Sequence, residues 1–461
     1  MRQVYHLAGV AAANREAEVR VLLFGYNGFS HLPRVRFERL SMSRPITFLH
    51  VADTHLGAGF SSVTSTSTEL GKKLRDATQV AFDKAVDYAC EREVDFVCFA
   101  GDLYDADSGN FQAQSHVVEG IKRLDDAGIR AFLAAGNHDP LGDTARLTLP
   151  KNAHTFPSDR VEAVEIDIEG AQSCTVYGRS YQTTEETSNF AKGYHRGSEE
   201  NAVGVLHTNV APDSTSDRYA RCSLSDLVES GMDYWALGHI HLEQILNKQN
   251  PAVVYPGSPQ ALNINEVGRH GCYAVELDSG HATYSWIPTG VIDFVHVEID
   301  IDGCRSMAEV IQAIEPSVLK TFNERTDATP MRPSVVRLVL TGTRRFDESL
   351  DLDAILASSA QALNGSLPDI TLDGKLIDRT RGDVRKYFSA TNSRFIADIV
   401  GTNASDFFAE PFITNRLKGK KADLSALVPE LVDEFDTPEV RERLFLEAQE
   451  LLYRRLMGEN G

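Results

Sequence analysis

Five short polar strings decide the fold of this chain: DTHLG (53–57), GDLYD (101–105), GNHDP (136–140), VLHTN (205–209) and GHIH (238–241). Each follows or closes a short apolar run that is typical of a buried β-strand. Those runs are, in the same order, ITFLHVA, VDFVCFA, IRAFLAA, VGVLH and DYWAL. In an open parallel sheet, loops at such strand ends converge on one edge, where α/β proteins bind their ligands. The sequence therefore predicts a single site built from all five strings.

The five strings carry side chains that bind metal ions. They deliver Asp53, His55, Asp102, Asn137, His138, His207, His239 and His241. Imidazole, carboxylate and amide donors suit divalent transition metals, and this set is large enough for two ions. A lone His-x-His pair is usually solvent-exposed, but here Asp53-x-His55 and His239-x-His241 occur together with GD and GNHD. On extended backbone, residues at i and i+2 share one face, so both pairs can point into one cleft.

Asp102 is the natural bridging carboxylate of such a centre, because it has two oxygens and follows the second strand. Gly101 and Gly136, each directly before a candidate ligand, are expected to let the backbone turn sharply. Two metal ions about 3.5–4 Å apart can bind a bridging hydroxide and clamp phosphate oxygens during in-line attack. His138 then remains free to protonate the leaving alkoxide, and Asp105 is expected to orient that imidazole and raise its pKa. The pattern predicts a two-metal phosphoesterase.

Composition limits the class of protein. At 461 residues the chain is too long for one core and should hold two or three domains. Its 42% hydrophobic and 24% charged residues are ordinary for a soluble protein. No apolar run approaches the roughly 20 residues that span a bilayer, so no membrane association is expected. The six cysteines are scattered without a CxxC pair, which favours reduced thiols and a cytoplasmic location.

The net charge of −20 limits how this chain could bind nucleic acid. A protein that binds DNA alone across a broad surface normally carries a basic face. Any affinity for nucleic acid must therefore come from local basic patches, from bound metals or from a partner. The other interpretation is that the acidic balance only keeps the protein soluble.

The chain divides into four regions by pattern. Residues 1–43 are expected to be an extension outside the fold, either an Arg-rich leader or the result of an upstream start codon before Met42. Residues 44–290 alternate strand and helix, and 291–390 predict a small α+β unit. Residues 391–461 predict helices, the last of which carries an apolar stripe. Such a stripe packs on its own domain or binds a partner.

Two helices are predicted in the first domain, over 74–93 and 112–127. The first presents an apolar face made of Ala77, Val80, Ala81, Ala85, Val86 and Ala89. The polar stretch 183–201 is predicted to be a loop, in which His195 is exposed to solvent.

The motifs resemble the calcineurin-like metallophosphoesterase superfamily, and within it the SbcD-type DNA exonucleases and their YhaO-like branch. The resemblance rests on GDLYDAD (101–107), AAGNHDP (134–140) and VVYPGSPQALNINE (253–266), and it covers residues 45–290 well. It implies an α/β fold: a metallophosphoesterase β-sandwich flanked by helices, with a small α+β capping domain and C-terminal helices.

Residue by residue, the resemblance implies two metal sites and a catalytic histidine. The first metal would take Asp53, His55, Asp102 and His241; the second would take Asp102, Asn137, His207 and His239. His138 would be the catalytic histidine, and Tyr255, Gly257 and Ser258 would border the cleft and bind substrate, although a structural turn explains this stretch equally well. Manganese is the usual ion in the family, whereas the ligand types also allow zinc or iron.

Position 105 is a departure from part of the family. Archaeal and eukaryotic relatives have a histidine there that is implicated in handling DNA. Phosphatases of the superfamily and bacterial relatives share the aspartate of this chain. The metal centre is unaffected, but one feature that would separate a nuclease from a phosphatase is missing.

Three functions follow as hypotheses. The first, implied by the resemblance, is a metal-dependent DNA exonuclease of DNA repair with some endonuclease activity. Its partners would be DNA, a second copy of the chain, and an SMC-like ATPase whose coiled coil docks on the C-terminal helices. The second is a phosphodiesterase or phosphatase that acts on nucleotides or other small phosphate esters. The third, a scaffold without turnover, does not explain the complete ligand set.

Overall fold

The computed structural model describes residues 44–58, 68–105, 111–142, 147–168, 170–211, 218–325, 332–346 and 349–382. The predicted N-terminal extension (1–43) and the predicted C-terminal helical region (391–461) lie outside the described residues. Both therefore stay predictions.

The elements alternate along the chain much as the apolar runs predict. In order they are β1 (Ile46–Val51), α1 (Thr68–Arg92), β2 (Phe96–Ala100), α2 (Phe111–Asp126), β3 (Arg130–Ala134), β4 (Ala153–Thr155), β5 (Glu162–Ile166), β6 (Cys174–Arg179), a 3₁₀ helix (Phe190–Gly193), β7 (Asn201–His207), α3 (Leu224–Glu229), β8 (Tyr234–Gly238), β9 (Gln244–Asn247), β10 (Ala252–Tyr255), β11 (Gly271–Asp278), β12 (His281–Pro288), β13 (Asp293–Asp300), α4 (Met307–Asn323), β14 (Ser334–Thr341), β15 (Thr343–Arg344), α5 (Leu352–Ser366), β16 (Ile370–Asp378) and β17 (Arg381–Gly382). The five predicted strands that precede the polar strings are all confirmed.

The first part of the chain forms two six-stranded sheets, as the predicted β-sandwich requires. One sheet has the order β12-β11-β1-β2-β3-β4, and the other has the order β5-β6-β7-β8-β10-β9. The strands that carry the strings pair in parallel, β1–β2–β3 in one sheet and β7–β8 in the other, while β11, β12, β5 and β9 pair antiparallel. Two sets of parallel strand ends therefore supply the site.

A layered core holds the two sheets together, as expected for a β-sandwich flanked by helices. Phe48, Phe96 and Phe132 of the first sheet pack against residues of the second sheet such as Val205 and Tyr234. The outer face of the first sheet packs on α1 and α2. The outer face of the second sheet is covered by an aromatic cluster around Trp235. Burial of apolar surface at about 25 cal/mol per Å² makes these layers the main source of stability.

A buried histidine links the two sheets near the strand ends. His50, on β1, donates from Nε2 to the carbonyl of Leu237 (3.0 Å) and accepts the hydroxyl of Tyr234 at Nδ1 (3.0 Å). Burial lowers the pKa of His50 to about 3, so the ring stays neutral. This polar contact fixes the end of β1 against β8.

The helix predictions hold, with one error in the buried face. The helix α1 begins at Thr68, earlier than predicted, and α2 matches the predicted range within one residue. Five residues of the predicted apolar face are buried, but Val80 is 43% exposed. At about 100° per residue, Val80 lies about 140° around the helix from Ala85 and about 180° from Ala89. His195 is exposed as predicted, although its loop contains the short 3₁₀ helix.

Residues 293–382 build a smaller unit on a three-stranded sheet, which we call the three-stranded unit. Its strand order is β13-β14-β16 and all its pairs are parallel. Parallel neighbours need crossover connections, which α4 and α5 supply. The predicted order of strands and helices is confirmed, and the two crossovers arrange the unit as a βαβαβ layer. Within the described ranges, no helix is both long and apolar enough to cross a membrane.

Candidate metal centre

The loops at the strand ends contain residues in left-handed backbone conformations, so they do not continue the extended conformation of the strands. Asp53 (φ 52°), His55 (φ 44°), Asp102 (φ 53°) and His239 (φ 105°) all have positive φ. Such conformations are costly for residues other than glycine, and they cluster at functional sites. The prediction that i and i+2 side chains share a face of extended backbone is therefore wrong in its geometry. The side chains nevertheless converge, because the first two loops run side by side: the N–H groups of Asp53 and His55 donate to the carbonyls of Gly101 and Asp102.

The two glycines of the motifs serve different purposes. Gly101 has φ +94°, so it makes the sharp turn that the sequence predicts. Gly136 does not have positive φ; instead, a Cβ there would overlap Oδ1 of Asp102. Gly136 is therefore needed for close approach between two loops and not for a turn.

The first group of donors is centred on His55 and His241, whose Nε2 atoms lie 3.1 Å apart. The Nδ1 atom of His55 donates to Asp105 (2.9 Å), and the Nδ1 atom of His241 donates to Glu266 (2.9 Å). Carboxylates only accept, so each Nδ1 carries hydrogen and each Nε2 presents a lone pair. Two lone pairs at this distance repel unless a cation or a proton lies between them. The arrangement fits a metal ion.

The second group of donors is centred on His207. Its Nδ1 donates to the carbonyl of Ala100 (2.9 Å), so its Nε2 also presents a lone pair. That Nε2 lies 3.0 Å from Oδ1 of Asn137 and 3.3 Å from Oδ2 of Asp102. Three acceptors thus face one another, which again fits a cation.

Asp102 lies between the two groups. Its Oδ2 is 3.6 Å from Nε2 of His55 and 3.3 Å from Nε2 of His207. Its Oδ1 accepts the backbone N–H of His138 (2.9 Å). The carboxylate is therefore held with one oxygen directed at both groups, as a bridging ligand requires.

The remaining candidates, Asp53 and His239, contact each other and lie beside the two groups of donors. Both carboxylate oxygens of Asp53 accept the backbone N–H of His239 (2.9 and 3.0 Å). The ring of His239 lies beside that of His207, with centroids 5.2 Å apart, and is tilted against the ring of Tyr219, with centroids 4.6 Å apart. Among the described histidines, cysteines, aspartates and glutamates, donor atoms close enough to share an ion occur in three sets, none of which includes His239: Asp53, His55 and His241; Asp53, Asp102 and His207; and His55, Asp105 and His138.

The electrostatics of the centre favour an ionised Asp102. Burial would raise the pKa of Asp102, but the charge and hydrogen bond of His207 lower it below its usual range. Burial opposes the charged form of His207, yet Asp102 raises the pKa of that imidazole to about 9. Burial likewise opposes charge on His241, whose pKa Glu266 raises to about 9. Protons and metal ions thus compete for the same lone pairs, so binding of a metal would release protons.

His138 lies at the open side of the centre, where 47% of its side chain is exposed. Its Nδ1 donates to Oδ1 of Asp105 at 3.1 Å, and the same oxygen accepts from Nδ1 of His55. This hydrogen bond raises the pKa of His138. The predicted contact between Asp105 and His138 is therefore present, and Asp105 also holds the ring of His55.

Two buried carboxylates of the site were not predicted. Asp139 accepts the backbone N–H groups of Gly136 (2.6 Å), Leu103 (2.8 Å) and Asp102 (3.2 Å), so it fastens two loops together. Glu266 fixes the orientation of His241. Both residues lie inside motifs quoted above, GNHDP and NINE. Their identity was visible in the sequence, but their partners come from other loops.

The YPGS stretch supports the loops of the site from behind. Tyr255 is buried; its hydroxyl donates to the carbonyl of Thr208 (2.8 Å) and accepts the N–H of Val210 (3.0 Å). Ser258 is buried, and its N–H donates to the carbonyl of His241 (2.9 Å). Gly257 has φ +75°, and a Cβ there would lie 2.7 Å from the carbonyl oxygen of His241. The predicted substrate contact gains no support from these positions, which favour the structural turn.

Comparison with known proteins agrees with this geometry. The family described as "Calcineurin-like phosphoesterase" matches residues 46–243, and "Metallophosphoesterase YhaO, middle domain" matches residues 294–381. The chain is 33% identical over 304 residues to "Uncharacterized metallophosphoesterase YhaO" of Bacillus subtilis, which covers 66% of this chain and 73% of that protein.

More distant proteins are also similar. "DNA double-strand break repair protein Mre11" of Methanopyrus kandleri is 25% identical over 342 residues, which cover 67% of this chain and 68% of that protein. A solved structure of a dimetal phosphatase from Danio rerio covers 53% of this chain and 97% of that chain, with 13% identity and a TM-score of 0.35. The matched families and the YhaO relative show that this chain belongs to the calcineurin-like metallophosphoesterases, a family of metal-dependent hydrolases, in its YhaO-like branch.

Proposed function

We propose that this chain is a metal-dependent DNA nuclease of DNA repair, which acts as an exonuclease with some endonuclease activity. The observation that carries the phosphoesterase chemistry is the position of Asp102, whose Oδ2 faces both groups of histidine donors. The choice of DNA as substrate is supported by the archaeal relatives named as double-strand break repair proteins.

The residues of the centre fit two divalent ions. One would be held by Asp53, His55, Asp102 and His241, and the other by Asp102, Asn137, His207 and His239. When bound, such ions supply Lewis-acid stabilisation of the phosphoryl oxygens and an activated water. We propose Mn²⁺ as the activating ion, and the same donor types also accept zinc or iron.

The protein itself contributes a proton donor. His138 is accessible from solvent, and the hydrogen bond from its Nδ1 to Asp105 leaves Nε2 free for the substrate. We propose that His138 protonates the leaving oxygen of the scissile bond, while Asp105 acts as its positioning residue. The raised pKa of His138 keeps the imidazole protonated to more alkaline pH than an isolated histidine.

A second candidate function is a phosphodiesterase or phosphatase acting on nucleotides or other small esters. It is favoured by Asp105, the residue type that phosphatases of the superfamily carry at this position. The two functions share the same centre, because two metal ions would cleave either ester.

Activity on DNA separates the two candidates. Purified protein with Mn²⁺ is expected to degrade end-labelled linear duplex or single-stranded DNA to a ladder, and to lose this activity after chelation. Adding Mn²⁺ back should restore it, because the ligands remain in place. Bis-p-nitrophenyl phosphate serves as the small-ester substrate. Hydrolysis of the small ester by protein that leaves both DNAs intact would contradict the nuclease and favour the second function.

Replacing His138 by Ala tests its role as a proton donor. We expect DNA cleavage to fall about 100-fold or more, since general acids contribute 10²- to 10⁴-fold. Hydrolysis of bis-p-nitrophenyl phosphate should fall far less, because p-nitrophenolate leaves without protonation. Steady-state kinetics on both substrates measure the difference, and His195→Ala, an exposed histidine, is the control. Equal losses on the two substrates would refute a proton-donor role.

The partners are also part of the proposal. We propose that an SMC-like ATPase binds the region 391–461 and supplies the basic DNA surface that a chain of net charge −20 does not provide. We further propose a homodimer that works in the cytoplasm, where the six free cysteines would remain reduced. Analytical sedimentation measures whether the chain forms a homodimer. A chain lacking 391–461 that still co-elutes with a coiled-coil ATPase would contradict the docking site.

A further inference from the structure

A buried loop lies directly behind His241. Residues 258–266, here called the Glu266 loop, connect β10 to β11 without helix or strand, yet most of them are buried. A buried loop needs partners for its polar groups. Glu266 provides them: it accepts the backbone N–H of Leu262 at Oε2 (2.7 Å) and the side-chain amide of Asn263 at Oε1.

Glu266 and His241 belong to one closed circuit of hydrogen bonds. Nδ1 of His241 donates to Glu266 (2.9 Å), and the backbone carbonyl of Glu266 accepts from Nε2 of His270 (3.0 Å). Nδ1 of His270 lies 3.1 Å from the hydroxyl of Ser258, whose N–H donates back to the carbonyl of His241. Any shift of the Glu266 loop therefore moves both the side chain and the backbone of His241.

The far side of the same loop is held by the three-stranded unit. Nε2 of His296, on β13, donates to the carbonyl of Ile264 (2.9 Å). The side chain of Ile264 packs in a buried cluster with Phe294 and Val335 of that unit and with Leu74 of α1. The Glu266 loop thus contacts the candidate metal ligand His241 on one side and the three-stranded unit on the other.

The segment that leads into the three-stranded unit, residues 291–292, is hydrogen-bonded to the same loop. The buried amide of Gln260 donates to the carbonyl of Ile292 (2.8 Å) and accepts the N–H groups of Val291 and Ile292 (2.8 and 3.2 Å). Residues 291–292 lead directly into β13. The position of the three-stranded unit is therefore defined relative to the Glu266 loop by side-chain and backbone contacts together.

We propose that the three-stranded unit sets the affinity of the His241 side of the metal centre, with Glu266 as the positioning residue that transmits the position of the loop to His241. This inference rests on the proposed two-metal function. It makes metal loading at one of the two positions sensitive to movement of the unit, while the His207 side, held by Ala100, is not coupled to it.

Calorimetric titration of the chelated full chain with Mn²⁺ tests the proposal. For Glu266→Gln we expect one of two sites to weaken 10- to 100-fold, roughly the usual effect of disturbing the partner of a metal ligand, because the loop that positions residue 266 loses its bond to Leu262. The amide oxygen of Gln can still accept from His241, but the amide nitrogen cannot accept from Leu262. Glu243→Gln is the matched control, since Glu243 is two residues from His241 but contacts Tyr273 and Arg269 instead.

His296→Phe tests the coupling across the interface, because it keeps a ring of similar size and removes the donor to Ile264. We expect about a tenfold loss at the same single site, restored by His296→Gln, whose amide can donate. Unchanged affinity in His296→Phe would overturn the coupling, as would an equal loss at both sites. Circular dichroism confirms that each variant is folded.

Hydrogen exchange provides a readout that does not depend on metal. In chelated protein, His296→Phe should speed exchange both in the Glu266 loop and in residues 241–243, because the circuit of hydrogen bonds links the loop to His241. Faster exchange confined to the loop overturns the proposal. A wild-type chain that binds fewer than two ions contradicts the proposed function instead, so the two failures are distinguishable.

Discussion

Replacing Asp102 by Asn is expected to lower phosphodiester hydrolysis by about 1,000-fold. The Oδ2 atom of Asp102 faces both His55 and His207, so it can bridge the two candidate metal positions. An amide group there brings N–H donors or a neutral oxygen to two imidazole lone pairs that require a cation. A lost Lewis-acid contribution of about 4 kcal/mol corresponds to that factor, since each 1.36 kcal/mol is tenfold.

Rates on bis-p-nitrophenyl phosphate and on DNA, together with Mn²⁺ stoichiometry, check this expectation. The variant should bind fewer than two ions while its melting temperature stays near that of the wild type. Asp159→Asn, an exposed aspartate outside the five strings, is the control and should leave both measurements unchanged. Activity of Asp102→Asn within tenfold of the wild type would refute the bridging role.

Replacing Gly136 by Ala is expected to abolish most activity for a purely steric reason. The backbone of Gly136 is not left-handed, so alanine brings no conformational strain of its own. Its Cβ would, however, overlap Oδ1 of Asp102 and push that carboxylate away from the histidines. Displacement of a reacting group by about 1 Å can cost 10²-fold, and overpacking of this kind costs about 1–3 kcal/mol of stability.

Activity assays and thermal unfolding of Gly136→Ala measure the two effects separately. Gly303→Ala is the matched control, because a Cβ at Gly303 meets no heavy atom within 4 Å. We expect the control to keep full activity. If Gly136→Ala were as active as the control, the close approach of the GNHD loop to Asp102 would not matter for function.

Much of the fold was readable from local patterns. The strands β1, β2, β3, β7 and β8 follow from apolar runs, because a strand buried on both faces is apolar along its whole length. The alternation of strand and helix beyond residue 291 is equally local, since the spacing of apolar residues within each element indicates whether it is a strand or a helix. These local patterns predict single elements but not their neighbours in a sheet. The division into two sheets depends on which strands pair.

The candidate ligands were likewise visible in the sequence, but their geometry was not. The strings contain Asp53, His55 and Asp102, and carboxylate and imidazole side chains directly after buried strands indicate a metal site. Their left-handed backbone is a property of the folded loops, which hydrogen-bond to each other across the sheet edge. The separation of the donors into two groups around Asp102 depends on contacts between residues more than 100 positions apart, such as His55 and His241.

By itself, the sequence determined the strands, the helices and the family of metal-binding side chains, because these depend on the periodicity and chemistry of neighbouring residues. Only the tertiary structure decided that Glu266 holds His241 and that Asp139 joins two loops. It also decided that Tyr255 and Ser258 are buried behind the site. Burial and hydrogen-bond partners are properties of residues that meet in space, and a linear pattern does not record which distant groups satisfy a buried donor or acceptor.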